Sequence, residues 1–284
     1  MEVQIVRVLL TGATSQVGRF LLPRLLDAGH EVLAVSRQSM PDRERSSWVV
    51  GDLRDDGFAC PLAQALVHIA PLHLLPEVLS GFLAAGGRRV ICFGTTSRYS
   101  KAASADPKEQ ALVRAQVAAE ARVAELCEAA GADWTLFRPT LIYGAGTDRN
   151  VALIAYLIRR FGIFPLFGKA SGLRQPVNAD DLAAACVAAL SEPRSFNRAY
   201  DLTGGETLSY RQMVERIFAS VGRRPRFVSV PLGFFGAVMW CVSRIPRFKG
   251  LNLEMARRMN EDMVFDSSSA ARDFGYSPRG FEPG

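Results

Sequence analysis

Small residues recur at three-residue steps in Gly12, Ser15 and Gly18, directly after the apolar run Val8-Leu9-Leu10, and an amphipathic stretch follows from Arg19 and Phe20. Strand, small-residue turn and helix in this order aim several backbone N–H groups at one point. The positive end of the helix dipole adds to them. The chemistry open to such a turn is to hold a pyrophosphate. Gly12 supplies the tight turn and Gly18 the close approach of helix to strand. Ser15 stands for a middle glycine, with a side chain small enough to admit a phosphate. Thr14, Gln16 and Val17 complete the turn, and Arg19 brings a cation onto the first helical turn.

A second apolar run, residues 31–37, ends where a dinucleotide fold carries an acid for the adenosine ribose 2′-OH. Ser36 and Arg37 stand there instead. A guanidinium favours a 2′-phosphate, so the expected cofactor is NADP(H) in preference to NAD(H). The plainer alternative is that Arg37 is a solvated surface cation.

These residues need a scaffold that holds a strand end against a helix start. Apolar runs at 48–53, 66–70, 90–93 and 134–138 read as further strands, and 76–85 as a helix. A long helix begins at an Asp106 N-cap with Pro107 in its first turn, and Gly131 stops it. Later helices are expected over 150–161, from Asp180 and Asp181 to Leu190, near 210–221 and over 254–263, while 199–202 returns to the sheet. The alternation implies an α/β fold: a Rossmann-type doubly wound parallel sheet with a smaller C-terminal substrate lobe. Residues 1–145 form the NAD(P)-binding domain in this division, with 175–203 returning to its sheet. Residues 146–174 and 204–284 form the lobe.

Composition narrows the classes. The chain has 284 residues, 49% hydrophobic and 22% charged, an ordinary balance for a globular protein. Its net charge of +6 suits an anionic ligand. Lysines and arginines are spread along the chain without the concentrated patch and aromatic platform of a nucleic-acid binder, so no nucleic-acid partner is expected. Cys60, Cys92, Cys127, Cys186 and Cys241 lie far apart, and His30, His68 and His73 offer no helical metal pair. We therefore expect free thiols, no metal and a reducing, cytoplasmic setting. The N-terminus lacks a secretion-signal layout, because its first apolar run is the nucleotide strand. Residues 231–242 are strongly apolar, with Arg244, Arg247 and Lys249 behind them. They are too short to span a bilayer and read as a buried helix, with a dimer contact or a membrane-surface contact between Leu232 and Val242 as alternatives. A monomer or homodimer with a small-molecule substrate is expected.

Several further motifs carry a resemblance. They are Gly51-Asp52-Leu53, Val67-His68-Ile69-Ala70, Gly94-Thr95-Thr96, Arg138-Pro139-Thr140-Leu141-Ile142-Tyr143-Gly144 and Val177-Asn178-Ala179-Asp180-Asp181-Leu182-Ala183. With the glycine-rich turn they make the chain resemble the short-chain dehydrogenase/reductase superfamily, in its extended and atypical branches with sugar-nucleotide epimerases and dehydratases. The resemblance implies that Asp52 accepts from the adenine amino group, with Leu53 against the ring. Ile69 and Ala70 would line the cofactor ribose, and Phe93, Gly94 and Thr95 would run along its nicotinamide half. Pro139, Thr140, Leu141 and Ile142 would flank the nicotinamide. Asp180 and Asp181 are read as helix caps.

A typical relative exchanges a proton through a Tyr whose pKa is lowered by a Lys four residues later. With Glu120 on the family's acidic landmark, Leu112 falls at the Tyr position and Gln116 at the Lys position. The resemblance thus implies an active site without its usual acid/base pair. Thr95 remains at the family's Ser/Thr position, near Ser97, Arg98, Tyr99 and Lys101. Thr95, Tyr99 and Lys101 are the candidate catalytic residues, with Lys101 activating Tyr99 if the loop folds back. Two readings stay open. One is an NADP(H)-dependent oxidoreductase or epimerase-like enzyme acting on a small or nucleotide-linked carbonyl/alcohol substrate. The other is a non-catalytic NADP(H)-binding structural or redox-sensing protein resembling the accessory subunit of respiratory complex I.

Overall fold

The structure is a computed structural model that describes residues 5–42, 44–55, 58–148, 150–230 and 253–283. Residues 231–242, with the contact expected between Leu232 and Val242, and Cys241 lie outside the described residues. Seven strands form one parallel sheet in the order β11-β6-β5-β4-β1-β2-β3. They are β1 (Arg7–Thr11), β2 (Glu31–Ser36), β3 (Ser46–Val50), β4 (Ala65–His68), β5 (Arg89–Phe93), β6 (Asp133–Pro139) and β11 (Arg198–Leu202). This is the expected doubly wound α/β architecture. The chain switches direction between β1 and β4, where such sheets open a crevice at their strand C-termini.

Pleating divides the apolar residues of each strand between two covers. Val8 and Leu10 of β1 join a core under α1 (Gly18–Asp27) and α6 (Ala179–Leu190), while Leu9 joins the core under α2 (Leu75–Ala84) and α4 (Pro107–Ala129). Cys92, Cys127 and Cys186 are buried free thiols and Cys60 is half-buried. A third core gathers Ile154 and Ile158 of α5 (Val151–Phe161), Phe164 and Leu166 of β8 (Phe164–Phe167), and Met213 and Phe218 of α7 (Tyr210–Ser220). Tyr143 of β7 (Ile142–Tyr143) and Phe281 meet edge-on in that core, with ring centroids 4.9 Å apart.

Asp106 caps α4 as expected, accepting from the Lys108 N–H at 2.9 Å. Two other expectations change. The cap of α6 is Asn178, whose side chain accepts from the Asp180 N–H. Asp180 and Asp181 instead face arginines: Asp180 receives Arg24 from α1, and both receive Arg279 from the C-terminal tail. The helix expected over 254–263 is α8 (Leu253–Arg258) only. It stops because Asn260 turns away to bond the loop after β8, donating to the Phe167 carbonyl and accepting from the Ala170 N–H.

At the opposite, N-terminal edge of the sheet, Arg89 binds the structure together. Its guanidinium donates to the last carbonyls of α6, Ala189 and Leu190, and to the hydroxyls of Thr135 and Ser195. It also stacks over Phe196, 4.4 Å from the ring centroid. A cation at a helix C-terminus is favoured by the dipole. Replacing it with methionine strands these acceptors in the interior. Arg89→Met is expected to cost about 3 kcal/mol of unfolding free energy in urea titration, with the m-value unchanged.

Candidate functional site

The glycine-rich turn lies at the C-terminal end of β1. Gly12 has φ +76°, and a Cβ on it would fall 2.8 Å from the Ala70 nitrogen. A Cβ on Gly18 would fall 2.6 Å from the Ala13 carbonyl oxygen. Both glycines are therefore required by backbone rather than by movable side chains, and the first brings the turn against Ile69 and Ala70 at the exit of β4. The Ser15 hydroxyl accepts from the Gly18 N–H at 3.1 Å and so helps to start α1. Gln16 Nε2 is buried without a hydrogen-bond partner. An orphaned donor beside a backbone-tight turn at a helix N-terminus is the arrangement a pyrophosphate-containing cofactor completes.

The ends of β2 and β3 are drawn together by the Gly51 N–H, which donates to the Ser36 carbonyl at 3.0 Å. The Ser36 hydroxyl accepts from the Gln38 N–H, whereas Arg37 is exposed and makes no hydrogen bond among the described residues. Asp52 is taken by Arg54, and that guanidinium is the main reason its carboxyl titrates far down, at about 2. Leu53 is buried. The connection between β2 and β3 contains no helix among the described residues, and a cavity of about 340 Å³ beside it is lined by Thr14, Arg19, Leu22, Met40, Pro41 and Trp48 among others.

Beneath the turn, His68 is completely buried. The Pro71 carbonyl only accepts, so His68 Nε2 carries the proton (3.2 Å), and Nδ1 accepts from the Thr11 hydroxyl (2.8 Å). Burial is the main cause that brings its pKa down to about 4 from 6.5. The unfolded chain then takes up this proton first as pH falls. The contribution is complete above pH 6.5 and is lost progressively toward pH 4, by about 3 kcal/mol in all. His68→Gln should flatten the pH dependence of the urea midpoint over that interval.

The far end of the crevice is formed by the exits of β5 and β6. The Gly94 N–H donates to the Phe137 carbonyl at 2.7 Å, and the Thr96 hydroxyl to the Pro139 carbonyl at 3.1 Å. Phe93 is buried edge-on against Phe137. The Thr95 hydroxyl accepts from the Ser97 N–H, which leaves its own proton to donate. Thr140 bonds Leu202 and Gln175, Leu141 accepts from Val177, and Ile142 pairs with β10 (Val177–Asn178). These backbone groups, with the Thr140 hydroxyl, join this end of the sheet to the segment that leads into α6.

Charge at this end is concentrated on Glu120 of α4. Its Oε2 accepts from Arg98 and from Arg138 Nε and Nη2, while its Oε1 is buried without a partner. A Cβ on Gly94 would lie 2.8 Å from that Oε1, so the glycine makes room for the carboxylate. Arg138 Nη1 donates to the Tyr99 hydroxyl at 3.2 Å and lies 3.9 Å from Asp201. Burial raises the Asp201 pKa. The loop does not pair Tyr99 with Lys101 as expected. Lys101 turns its ammonium to Glu109, 3.6 Å away, and the cation at the Tyr99 oxygen is Arg138. The sequence reading named Arg138 in a motif but gave it no part beside Tyr99, because it lies near the end of β6, remote in sequence from the loop it completes.

Glu109 itself is buried in the first turn of α4, in a two-bond pair with Arg258 of α8 at 2.8 and 2.9 Å. This guanidinium is the main cause that holds its carboxyl down at about 2. Helix α4 contains no tyrosine, and Leu112 is 63% exposed.

Residues 8–71 and 72–202 match the NAD dependent epimerase/dehydratase family. The chain belongs to that family. Its fold is that of the extended short-chain dehydrogenase/reductase branch, as the sequence motifs implied. This family member is 28% identical over 252 residues to the NADH dehydrogenase [ubiquinone] 1 alpha subcomplex subunit 9 of Arabidopsis thaliana, covering 78% of this chain and 59% of the plant protein. The match thus spans about six-tenths of that relative. It is 26% identical over 272 residues to the divinyl chlorophyllide a 8-vinyl-reductase of Zea mays, covering 86% and 67%. Among solved structures, MoeE5 in complex with UDP-glucuronic acid and NAD superposes with a TM-score of 0.75 at 18% identity, covering 97% and 94%. Among the described residues no helix is long and apolar enough to cross a membrane.

Proposed function

We propose that this chain is an NADP(H)-dependent oxidoreductase acting on a small or nucleotide-linked carbonyl/alcohol substrate. The observation that carries the reading is the turn after β1: two glycines that admit no side chain, with a buried donor on Gln16 left unpaired. Backbone N–H groups between Gly12 and Gly18 hold the diphosphate, and Ile69 and Ala70 wall the ribose. Arg37, supported by Ser36 and Arg19, takes the adenosine 2′-phosphate. The cofactor, when bound, supplies or accepts the hydride. The Thr95 hydroxyl donates to the reacting oxygen. Tyr99 exchanges the proton, and Arg138 stabilises the oxygen from which it departs. Lys101 acts at one remove, by holding Glu109. Residues 146–174 and 204–284 serve as the substrate lobe.

Calorimetric titration with NADPH and NADH tests the cofactor. Tighter binding of NADPH supports the reading, and equal affinities remove the role of Arg37. NADPH consumption with a panel of aldehydes, ketones and nucleotide sugars tests the chemistry. Once a substrate is found, Tyr99→Phe is expected to lower kcat by roughly 100-fold with NADPH affinity unchanged. An unchanged kcat would assign the proton to another group.

A second reading is favoured by the absence of any tyrosine from α4 and by the similarity to a complex I subunit. In that reading NADP(H) stabilises the fold and no turnover occurs. NADPH that raises the melting temperature but is never consumed would select it.

A further inference from the structure

We propose that this protein docks on anionic phospholipid surfaces through the end of α5, residues 161–163, and the segment 222–228. The starting observation is a charge asymmetry. No Asp or Glu occurs in residues 149–179 or 216–253, two stretches that hold 12 of the 34 lysines and arginines. The fold brings residues 159–167 of the first beside residues 223–230 of the second. Strand β13 (Phe227–Val230) pairs in parallel with β8, with Phe227 beside Phe164 and Val228 beside Pro165. Arg223 donates to the Arg159 carbonyl at the end of α5, and the Phe164 N–H donates to the Arg226 carbonyl.

Arg159, Arg160, Arg223, Arg224 and Arg226 are all exposed there, and none forms an ion pair with an acid among the described residues. Large apolar side chains stand among them. Tyr156 is 40% exposed, Phe161 52%, Ile163 43% and Val228 45%. Phe227 turns inward onto Phe218, so its strand neighbour Val228 points outward. Arg160 lies over the Phe161 ring at 5.3 Å.

Unpaired guanidinium groups around aromatic and aliphatic side chains suit a lipid headgroup layer. The cations meet phosphates, their stems lie along apolar surface, and the apolar members enter the acyl boundary. Ile163 and Val228 offer nothing to a stacked base, which favours lipid over nucleic acid.

The test is flotation of the full chain with vesicles of phosphatidylcholine alone, or with about one-third phosphatidylglycerol. Binding is expected only to the anionic vesicles, and high salt should release it. The triple variant Arg223→Glu, Arg224→Glu, Arg226→Glu should lower the partition coefficient by roughly 100-fold or more. Phe161→Ser with Ile163→Ser should lower it by about tenfold at unchanged charge. The control Lys108→Glu, Arg114→Glu, Arg122→Glu, with the same net charge on the outer side of α4, should retain most binding. Unchanged NADPH titrations and melting curves show that each variant folds, independently of the catalytic reading. The proposal is overturned by absence of binding to anionic vesicles, by equal losses in the two triple variants, or by an RNA oligonucleotide that competes the protein off the vesicles.

Discussion

Gly18→Ala is expected to abolish dinucleotide binding and to destabilise the fold by about 3 kcal/mol. The added methyl group would sit against the Gly12 and Ala13 carbonyl oxygens, which are backbone atoms with nowhere to move. Relief requires the first turn of α1 to swing away from β1. That motion separates the N–H groups that converge after Thr11, so stability and NADPH affinity should fall together. Urea titration with a parallel NADPH titration measures both. A variant that melts normally and binds NADPH normally would show that the turn is not the phosphate cradle. Gly86 is the natural comparison: it has φ +90° with open space around it, so its alanine variant carries only backbone strain and leaves binding alone.

The second large effect concerns cofactor choice. Arg37→Glu should weaken NADPH by roughly 100-fold, because a charge-assisted contact of about 1.5–3 kcal/mol is replaced by repulsion. NADH lacks the 2′-phosphate, and a carboxylate at this strand end suits its ribose hydroxyls. The preference should therefore invert, read as the ratio of the two dissociation constants. Arg37 is exposed and without a hydrogen bond, so the substitution disturbs no packing. A ratio that does not move would mean that the adenosine end lies elsewhere, and Arg19 would be the next cation to replace.

The strands and the turn were legible because local chemistry decided them: apolar runs for β1, β2, β4, β5 and β6, the Asp106-Pro107 start of α4, and the glycine at its end. Contacts between distant charges were not. Asp180 and Asp181 have the residue type of a cap, yet Asn178 lies two and three residues before them and takes that role, leaving both acids to arginines 98 to 156 residues away in sequence. Lys101 stands two residues from Tyr99, but the short helix α3 (Ser97–Ser100) and the first turn of α4 turn its ammonium to Glu109. The basic face was hidden for a different reason. Counting arginines shows them spread along the chain, whereas the signal is the run of positions without an acid.

The Glu109–Arg258 pair ties the beginning of α4 to α8 across 149 residues of sequence. Parting the two segments would strip a buried carboxylate and a buried guanidinium of this contact at a cost of roughly 3–5 kcal/mol, so the start of α4 and α8 are held as one body.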